Sequence, residues 1–79
     1  IYNDGGTYHL VVRDTVITDN TANEGGGGIF YVSNNRLGTM TLDGVVVARN
    51  PSAGFETAGL PGIFYLGNGD PVITDSTLR

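Results

Sequence analysis

Few residues in this chain have the types and spacing that catalysis or metal binding requires. His9 is the only histidine, and no carboxylate or second ligand stands at a spacing that would mark it as an acid–base or metal-binding group. The chain contains no cysteine, which excludes both a disulfide framework and a thiolate metal site. We therefore predict no catalytic residue, no cofactor and no bound metal, and we expect that the chain is not an enzyme.

The run Gly25–Gly28 is the one segment whose composition suits a phosphate-binding loop. Such a loop needs a following lysine and a helix whose N-terminus faces the anion. The chain has no lysine, and no window carries the apolar spacing of an amphipathic helix. We expect the glycines to serve the backbone instead, because glycine reaches positive φ and allows a loop to close tightly onto a strand.

Six aspartates stand singly along the chain and are the other candidate cation ligands. Calcium-binding solenoids carry their ligands in a Gly-Gly-x-Gly-x-Asp nonapeptide, which is absent here. Paired carboxylates at one level are also hard to assemble from these positions. Solvated turns are the expected location of all six: Asp4, Asp14, Asp19, Asp43, Asp70 and Asp75.

Three aromatic residues at related positions are the candidate binding residues: Tyr2, Phe30 and Phe64, each directly after an isoleucine. If they face outward, they form an aromatic strip suited to sugar stacking or to packing against another protein. If they face inward, they belong to the core. The sequence leaves three interpretations open, which are a buried or loop-covered column, a protein interface and a glycan platform.

Composition and charge limit the kinds of partner. The 79 residues carry four basic and eight acidic side chains, which give a formal charge of −4. No basic patch is available to neutralise phosphates, so we expect no nucleic acid partner. No apolar run approaches the roughly 20 residues that span a bilayer, so we expect no membrane insertion.

An internal repeat in the sequence predicts the strands that position these residues. Gly-Ile-Phe-Tyr occurs at residues 28–31 and again at 62–65, with Ile-Tyr at residues 1–2 as a shortened first copy. A second set of segments aligns without a gap at spacings of 30 and 31 residues, starting at Leu10, Met40 and Pro71. The length differences between copies fall in the Gly-rich connections.

Each copy divides into three short strands rich in Val, Ile and Leu, with turn residues between them. Strand a is expected near residues 1–3, 29–32 and 63–66, strand b near 10–13, 40–43 and 71–74, and strand c near 15–18, 45–48 and 76–79. The whole chain then forms one segment of three coils, approximately 1–28, 29–62 and 63–79.

Three strands in about 30 residues predict an all-β fold, a right-handed parallel β-helix with three coils of three short strands. Each strand would pair in parallel with its equivalent one coil away, about 4.8 Å distant. A two-sheet sandwich fits less well, because the copies repeat as whole three-strand units and hairpin turns are scarce.

Alternation within the strands predicts an interior of stacked, equivalent side chains, each of which stabilises the fold by roughly 1.5–3 kcal/mol when fully buried. The predicted aliphatic columns are Ile1, Ile29 and Ile63, then Val12, Leu42 and Ile73, then Ile17, Val47 and Leu78. Other inward residues are expected beside them: Leu10, Thr15, Met40, Val45, Pro71 and Ser76.

Polar residues are expected to stack in the same way. Asn20 and Asn50 end strand c at the same place, and we predict that their side chains form a ladder with the turn backbone. Among the outward columns, Arg13 would lie opposite Asp43 and Asp19 opposite Arg49, while Gly44 would separate Asp14 from Asp75. Opposite charges at this distance attract, which supports the proposed register.

Two short motifs resemble the repeats of polymorphic outer membrane proteins and related right-handed β-helix surface proteins of bacteria. That family is marked by Gly-Gly-Ala-Ile and Phe-x-x-Asn. Gly-Gly-Gly-Ile at residues 26–29 resembles the first, and Ile-Thr-Asp-Asn at 17–20 and Val-Ala-Arg-Asn at 47–50 resemble the second. The stretch from Leu10 to Ala22 is similar to the family pattern Leu-x-Ile-x-x-Ser-x-Ile-x-x-Asn-x-Ala throughout. The resemblance implies an extracellular or cell-surface adhesin, passenger or filament, and it implies no reaction.

We therefore expect a structural segment of a longer chain or of a stacked fibre, because both ends of a three-coil stack present unpaired strand edges and apolar core. Further β-helical coils or identical subunits would cover those ends, and a glycan or a host or cell-surface protein is a further candidate partner. The alternative is a fragment of a carbohydrate-binding or polysaccharide-degrading β-helix protein. The Asn-Thr-Asp, Gly-His-Gly and Arg-x-Lys motifs of the galacturonan hydrolases do not occur in the chain.

Overall fold

All 79 residues are described by the computed structural model, which contains nine strands and no helix. In chain order the strands are β1 (Tyr2–Gly5), β2 (His9–Arg13), β3 (Val16–Thr18), β4 (Ile29–Ser33), β5 (Thr39–Asp43), β6 (Val46–Ala48), β7 (Ile63–Leu66), β8 (Val72–Thr74) and β9 (Thr77–Leu78).

The nine strands form three parallel sheets of three strands each, in the orders β1-β4-β7, β2-β5-β8 and β3-β6-β9. Consecutive strands belong to different sheets, so the same three-strand unit recurs three times. We call these units the first coil (β1–β3), the middle coil (β4–β6) and the third coil (β7–β9). The arrangement is consistent with a β-helix-like solenoid, and it confirms the predicted all-β class and the parallel pairing of equivalent strands.

Equivalent residues of successive coils lie opposite one another. Leu42 is the partner of Val12 in the first coil and of Ile73 in the third coil. Ile29 is likewise the partner of Ile63. One repeat in the sequence therefore corresponds to one coil, and the connections absorb the differences in length.

The interior lies between the three sheets and is most completely closed in the middle coil. Side chains from all three of its sheets have no exposed surface: Ile29, Tyr31, Met40, Leu42, Val45 and Val47. The remaining core comes from the neighbouring strands β2, β3, β7, β8 and β9, in which Val12 is 8% exposed and Ile17 is 9% exposed. The middle coil is thus the only one with a complete coil on both sides.

The corner between the second and third strand of each coil requires a left-handed backbone. Asp14, Gly44 and Asp75 occupy it with φ of 49°, 67° and 49°. Glycine and aspartate reach this region at low cost, which explains why these residue types recur there. The amide of Asp14 donates to the carbonyl of Asp43 at 3.0 Å, so the spacing between coils is maintained through the turn.

The last strand of each coil begins one residue later than the sequence predicts, because the preceding residue completes the corner. Thr15 Oγ1 donates to the carbonyl of Arg13 at 2.6 Å, and Ser76 Oγ donates to the carbonyl of Thr74 at 2.8 Å. Ile1 also lies outside β1, although its carbonyl accepts a hydrogen bond from the amide of Phe30 at 2.8 Å.

Replacing Leu42 by alanine tests whether the stacked columns carry the stability of the fold. We expect Leu42→Ala to lower the free energy of unfolding by about 2–5 kcal/mol, because the cavity would be enclosed by a coil on each side. Val16→Ala is the control, since Val16 is 67% exposed on the outer surface of the first coil. Its expected cost is below about 0.5 kcal/mol. Urea denaturation at one protein concentration measures both, and equal losses would contradict the assigned core.

Candidate binding surfaces

The three candidate aromatic residues form a continuous column on the outside of the first sheet. The rings of Tyr2 and Phe30 are 5.1 Å apart and inclined by 6°, and those of Phe30 and Phe64 are 5.4 Å apart and inclined by 28°. Stacked rings present their faces to one another and their edges to the side. The outer face of Tyr2, which is 74% exposed, is therefore the free ring face at the first-coil end of the column.

A loop covers the other end of this column. Phe55, in the connection between β6 and β7, packs edge-on against Phe64 with ring centroids 4.8 Å apart. The connection between β3 and β4 makes room for it with Gly25, where an added Cβ would lie 2.7 Å from the Phe55 ring. The column thus faces outward, is loop-covered at Phe64 and is open at Tyr2.

A groove of about 500 Å³ lies beside the open end of the column. It is lined by Ile1, Tyr2 and Phe30 and by residues 22–27 of the connection between β3 and β4. Residues of the first coil and its connection therefore supply most of the groove, so a further coil above the first would alter its shape.

A second column of aromatic rings fills the interior and was not identified from the sequence. Tyr31 and Tyr65 stack at 5.2 Å on the inner side of the first sheet, and Tyr8 packs edge-on against Tyr31. The Tyr31 hydroxyl donates to the carbonyl of Tyr8 at 2.7 Å, and that of Tyr65 donates to the carbonyl of Asn68 at 3.1 Å. Burial raises the pKa of Tyr31 and of Tyr65, so both phenols remain hydrogen-bond donors. Tyr31 and Tyr65 each lie two residues after an inward isoleucine, Ile29 or Ile63. Because side chains alternate along a strand, this spacing could have predicted that both tyrosines face inward.

Asn20 and Asn50 are brought together at the end of the third sheet. Asn50 is only 4% exposed. Its side-chain oxygen accepts one hydrogen bond from the backbone N–H of Asn20 at 3.1 Å and another from Asn20 Nδ2 at 2.9 Å. Its own Nδ2 donates to the carbonyls of Ile17 at 2.9 Å and Ala48 at 3.1 Å. The side-chain amide of Asn50 therefore makes four hydrogen bonds, which link the first coil to the middle coil, and its role is structural.

Of the two predicted charge columns, one forms an ion pair. Arg49 binds both carboxylate oxygens of Asp19, at 2.8 and 3.1 Å, and this hydrogen bonding holds the pKa of Asp19 below its usual range. Arg13 lies opposite Asp43 as the register requires, but the two make no salt bridge. Asp43 instead accepts a hydrogen bond from Thr74 Oγ1 at 3.1 Å.

His9, the only histidine of the chain, contacts a hydroxyl group of the middle coil. The Nδ1 atom of His9 lies 2.7 Å from Thr39 Oγ1 on an exposed surface. No three side chains among His, Asp and Glu lie close enough together to hold a metal ion. The chain also contains no helix with the length and apolar content to cross a membrane.

The two end faces of the stack expose part of the core. Ile1 is 51% exposed in the first coil, whereas its equivalents Ile29 and Ile63 have no exposed surface. In the third coil Ile73 and Leu78 are only half-buried. The strands of the first and third coils pair on one side only, so each end face combines apolar side chains with unpaired backbone groups.

Comparison with known proteins finds no match for the chain, whether among protein-family models, curated proteins or solved structures. The aromatic column, the groove and the end faces are therefore the features from which a function can be inferred.

Removing the Asn50 side chain tests the polar ladder. We expect Asn50→Ala to lower the free energy of unfolding by about 1–3 kcal/mol, because the carbonyls of Ile17 and Ala48 would lose a buried donor. Asn20→Ala is the matched control at the exposed end of the ladder, where water replaces the lost bonds. Thermal denaturation compares the two variants, and an Asn20→Ala loss equal to that of Asn50→Ala would contradict the ladder.

Proposed function

We propose that the chain is a structural segment of a right-handed parallel β-helix in an extracellular or cell-surface protein, where it stacks end to end with further β-helical layers. The observation that carries this proposal is that Ile1, Ile73 and Leu78 in the end coils are more exposed than their equivalents Ile29, Leu42 and Val47 in the middle coil. Adhesin, passenger and filament roles all use such a segment as a rigid, extended scaffold.

The connectivity of the strands supports the proposed right-handedness. Each strand is joined to its parallel neighbour in the same sheet through two other strands and a connection, which is a crossover. Crossovers between parallel strands are right-handed in almost all proteins, because of the twist of the strands. The motifs at residues 17–20, 26–29 and 47–50, which resemble those of bacterial surface β-helix proteins, support the same assignment and the surface location.

The end faces support stacking rather than exposure to solvent. Unpaired parallel strands next to apolar side chains are surfaces on which another strand readily pairs. Each added coil would give Ile1, Ile73 and Leu78 the environment that Ile29, Leu42 and Val47 already have. Because an outward Tyr2 ring face also lies at the first-coil end, the same added coil would extend the aromatic column.

The geometry gives less support to the carbohydrate alternative. A sugar-binding platform presents the face of an aromatic ring to the ligand. Here the faces of Phe30 are directed at Tyr2 and Phe64, and Phe64 is covered by Phe55. Tyr2 alone has a free face, and it points toward the position of the next coil.

Placing a charge on an end face tests the proposal. We expect the isolated chain to associate as its concentration rises and Ile1→Lys to remain monomeric, because an added layer would bury an unpaired ammonium group. Leu78→Lys, at the opposite face, should behave in the same way. Sedimentation velocity over a concentration series measures the association.

The control is Leu37→Lys, which places the same charge on a side chain that is 58% exposed in a loop of the middle coil, away from both end faces. It should associate as the unmodified chain does. A folded chain that stays monomeric at every concentration, or equal association of all three variants, would contradict stacking through the end faces.

A further inference from the structure

We propose that a second copy of this chain fits the end faces, with the third coil of one copy docked in register on the first coil of the next, and that repulsion between Asp75 and Asp14 limits this association. The inference rests on the proposed stacking function and specifies its partner. It follows from continuing the observed register by one coil.

The aliphatic inner columns continue across such a junction, whereas in the first sheet Tyr65 would lie opposite Asn3, as Tyr31 already does within the chain. Ile63 would lie opposite Ile1 of the next copy, as it lies opposite Ile29 within the chain. Ile73 would lie opposite Val12, and Leu78 opposite Ile17, which repeats the aliphatic pairs of the middle coil. The corner residues Ser76 and Thr15 would also meet, and both carry hydroxyls that already bond to their own coil.

The outer surface supplies an independent argument for a second copy. Seven large hydrophobic side chains are exposed, and five of them lie in the first and third coils: Ile1, Tyr2, Val11, Val16 and Val72. The register would place Val72 of one copy opposite Val11 of the next. It would also bring Phe64 opposite Tyr2, although Phe55, which packs on Phe64, would have to move for the two rings to stack. Cross-strand pairs of aromatic and β-branched residues stabilise sheets. Val11 therefore finds an apolar partner on the other end, whereas Val16 would lie opposite Thr77.

One outer position is unfavourable. Within the chain Gly44 separates Asp14 from Asp75, so the two carboxylates lie two coils apart. At the junction no glycine intervenes, and Asp75 would lie directly opposite Asp14 of the next copy. Like charges at about 5 Å repel by an amount that salt screens. Repulsion between these two carboxylates therefore weakens the association of the two copies, and this effect is largest at low ionic strength.

A single junction can be isolated by mixing two blocked variants. Ile1→Lys keeps an intact third coil, and Leu78→Lys keeps an intact first coil. Each alone should remain monomeric, whereas the mixture should form a heterodimer joined by one native junction. Isothermal titration calorimetry gives the dissociation constant of that heterodimer, and sedimentation gives its size.

The register is then tested by a double-mutant cycle on this heterodimer. Asp75→Asn in the Ile1→Lys partner, or Asp14→Asn in the Leu78→Lys partner, should tighten binding about two- to fourfold at low salt. Both together should tighten it no further than either alone, because each removes the same repulsion. Asp43→Asn is the control, since it changes net charge equally but lies in the middle coil, and it should leave the dissociation constant unchanged.

Three results would overturn the inference, and they separate it from the stacking function. If the unmodified chain assembles but the two blocked variants do not combine, each end face pairs with the same face of another copy. The proposed stacking would then remain, but the head-to-tail arrangement would be wrong. If they combine but Asp14→Asn and Asp75→Asn act as Asp43→Asn does, the register is wrong. If neither the unmodified chain nor the mixture associates, a second copy is not the partner.

Discussion

The structure depends on one constraint, which is that each residue of a coil lies opposite its equivalent residue in the next coil. Parallel pairing fixes that separation at about 4.8 Å, and a slip by one residue would turn every inward side chain to solvent. The strands are only two to five residues long, too short for any of the three sheets to be stable alone. They hold together because Leu42, Val47 and their equivalents share one interior.

The same constraint determines where the sequence is free to vary. Strand segments keep their phase, whereas the connections at residues 19–28 and 49–62 differ in length and content. The longer connection brings Phe55 onto Phe64 and directs the Glu56 carboxylate to the amide of Gly62, at 2.6 Å. Polar residues follow the register as well, since the Asn50 amide and the Asp19–Arg49 pair each link two coils.

The repeat in the sequence was sufficient to predict the strands, their parallel pairing and the register, because equal spacing of like residues has few other physical explanations. It did not predict the inward position of Tyr31 and Tyr65, whose hydroxyls reach carbonyls that lie far from them in sequence or in an irregular turn. It also suggested a pairing of Arg13 with Asp43 that the side chains do not make, because register sets the position of a Cα atom and not the direction of a long side chain. The repeat placed Tyr2, Phe30 and Phe64 at equivalent positions, whereas the contact of Phe55 with Phe64 depends on a loop without a repeat.

Oxidative cross-linking tests the register most directly, because the chain contains no cysteine and every thiol would be an introduced one. Val11 and Thr41 are direct partners in β2 and β5, so cysteines at these two positions should form an intramolecular disulfide readily. Cysteines at Val11 and Thr39 lie two residues out of register, about 8 Å apart, beyond the reach of a disulfide. Rapid oxidation of the first pair alone is the predicted result. Equal oxidation of both pairs, or preference for the second, would contradict the stacked arrangement on which the fold and both proposals rest.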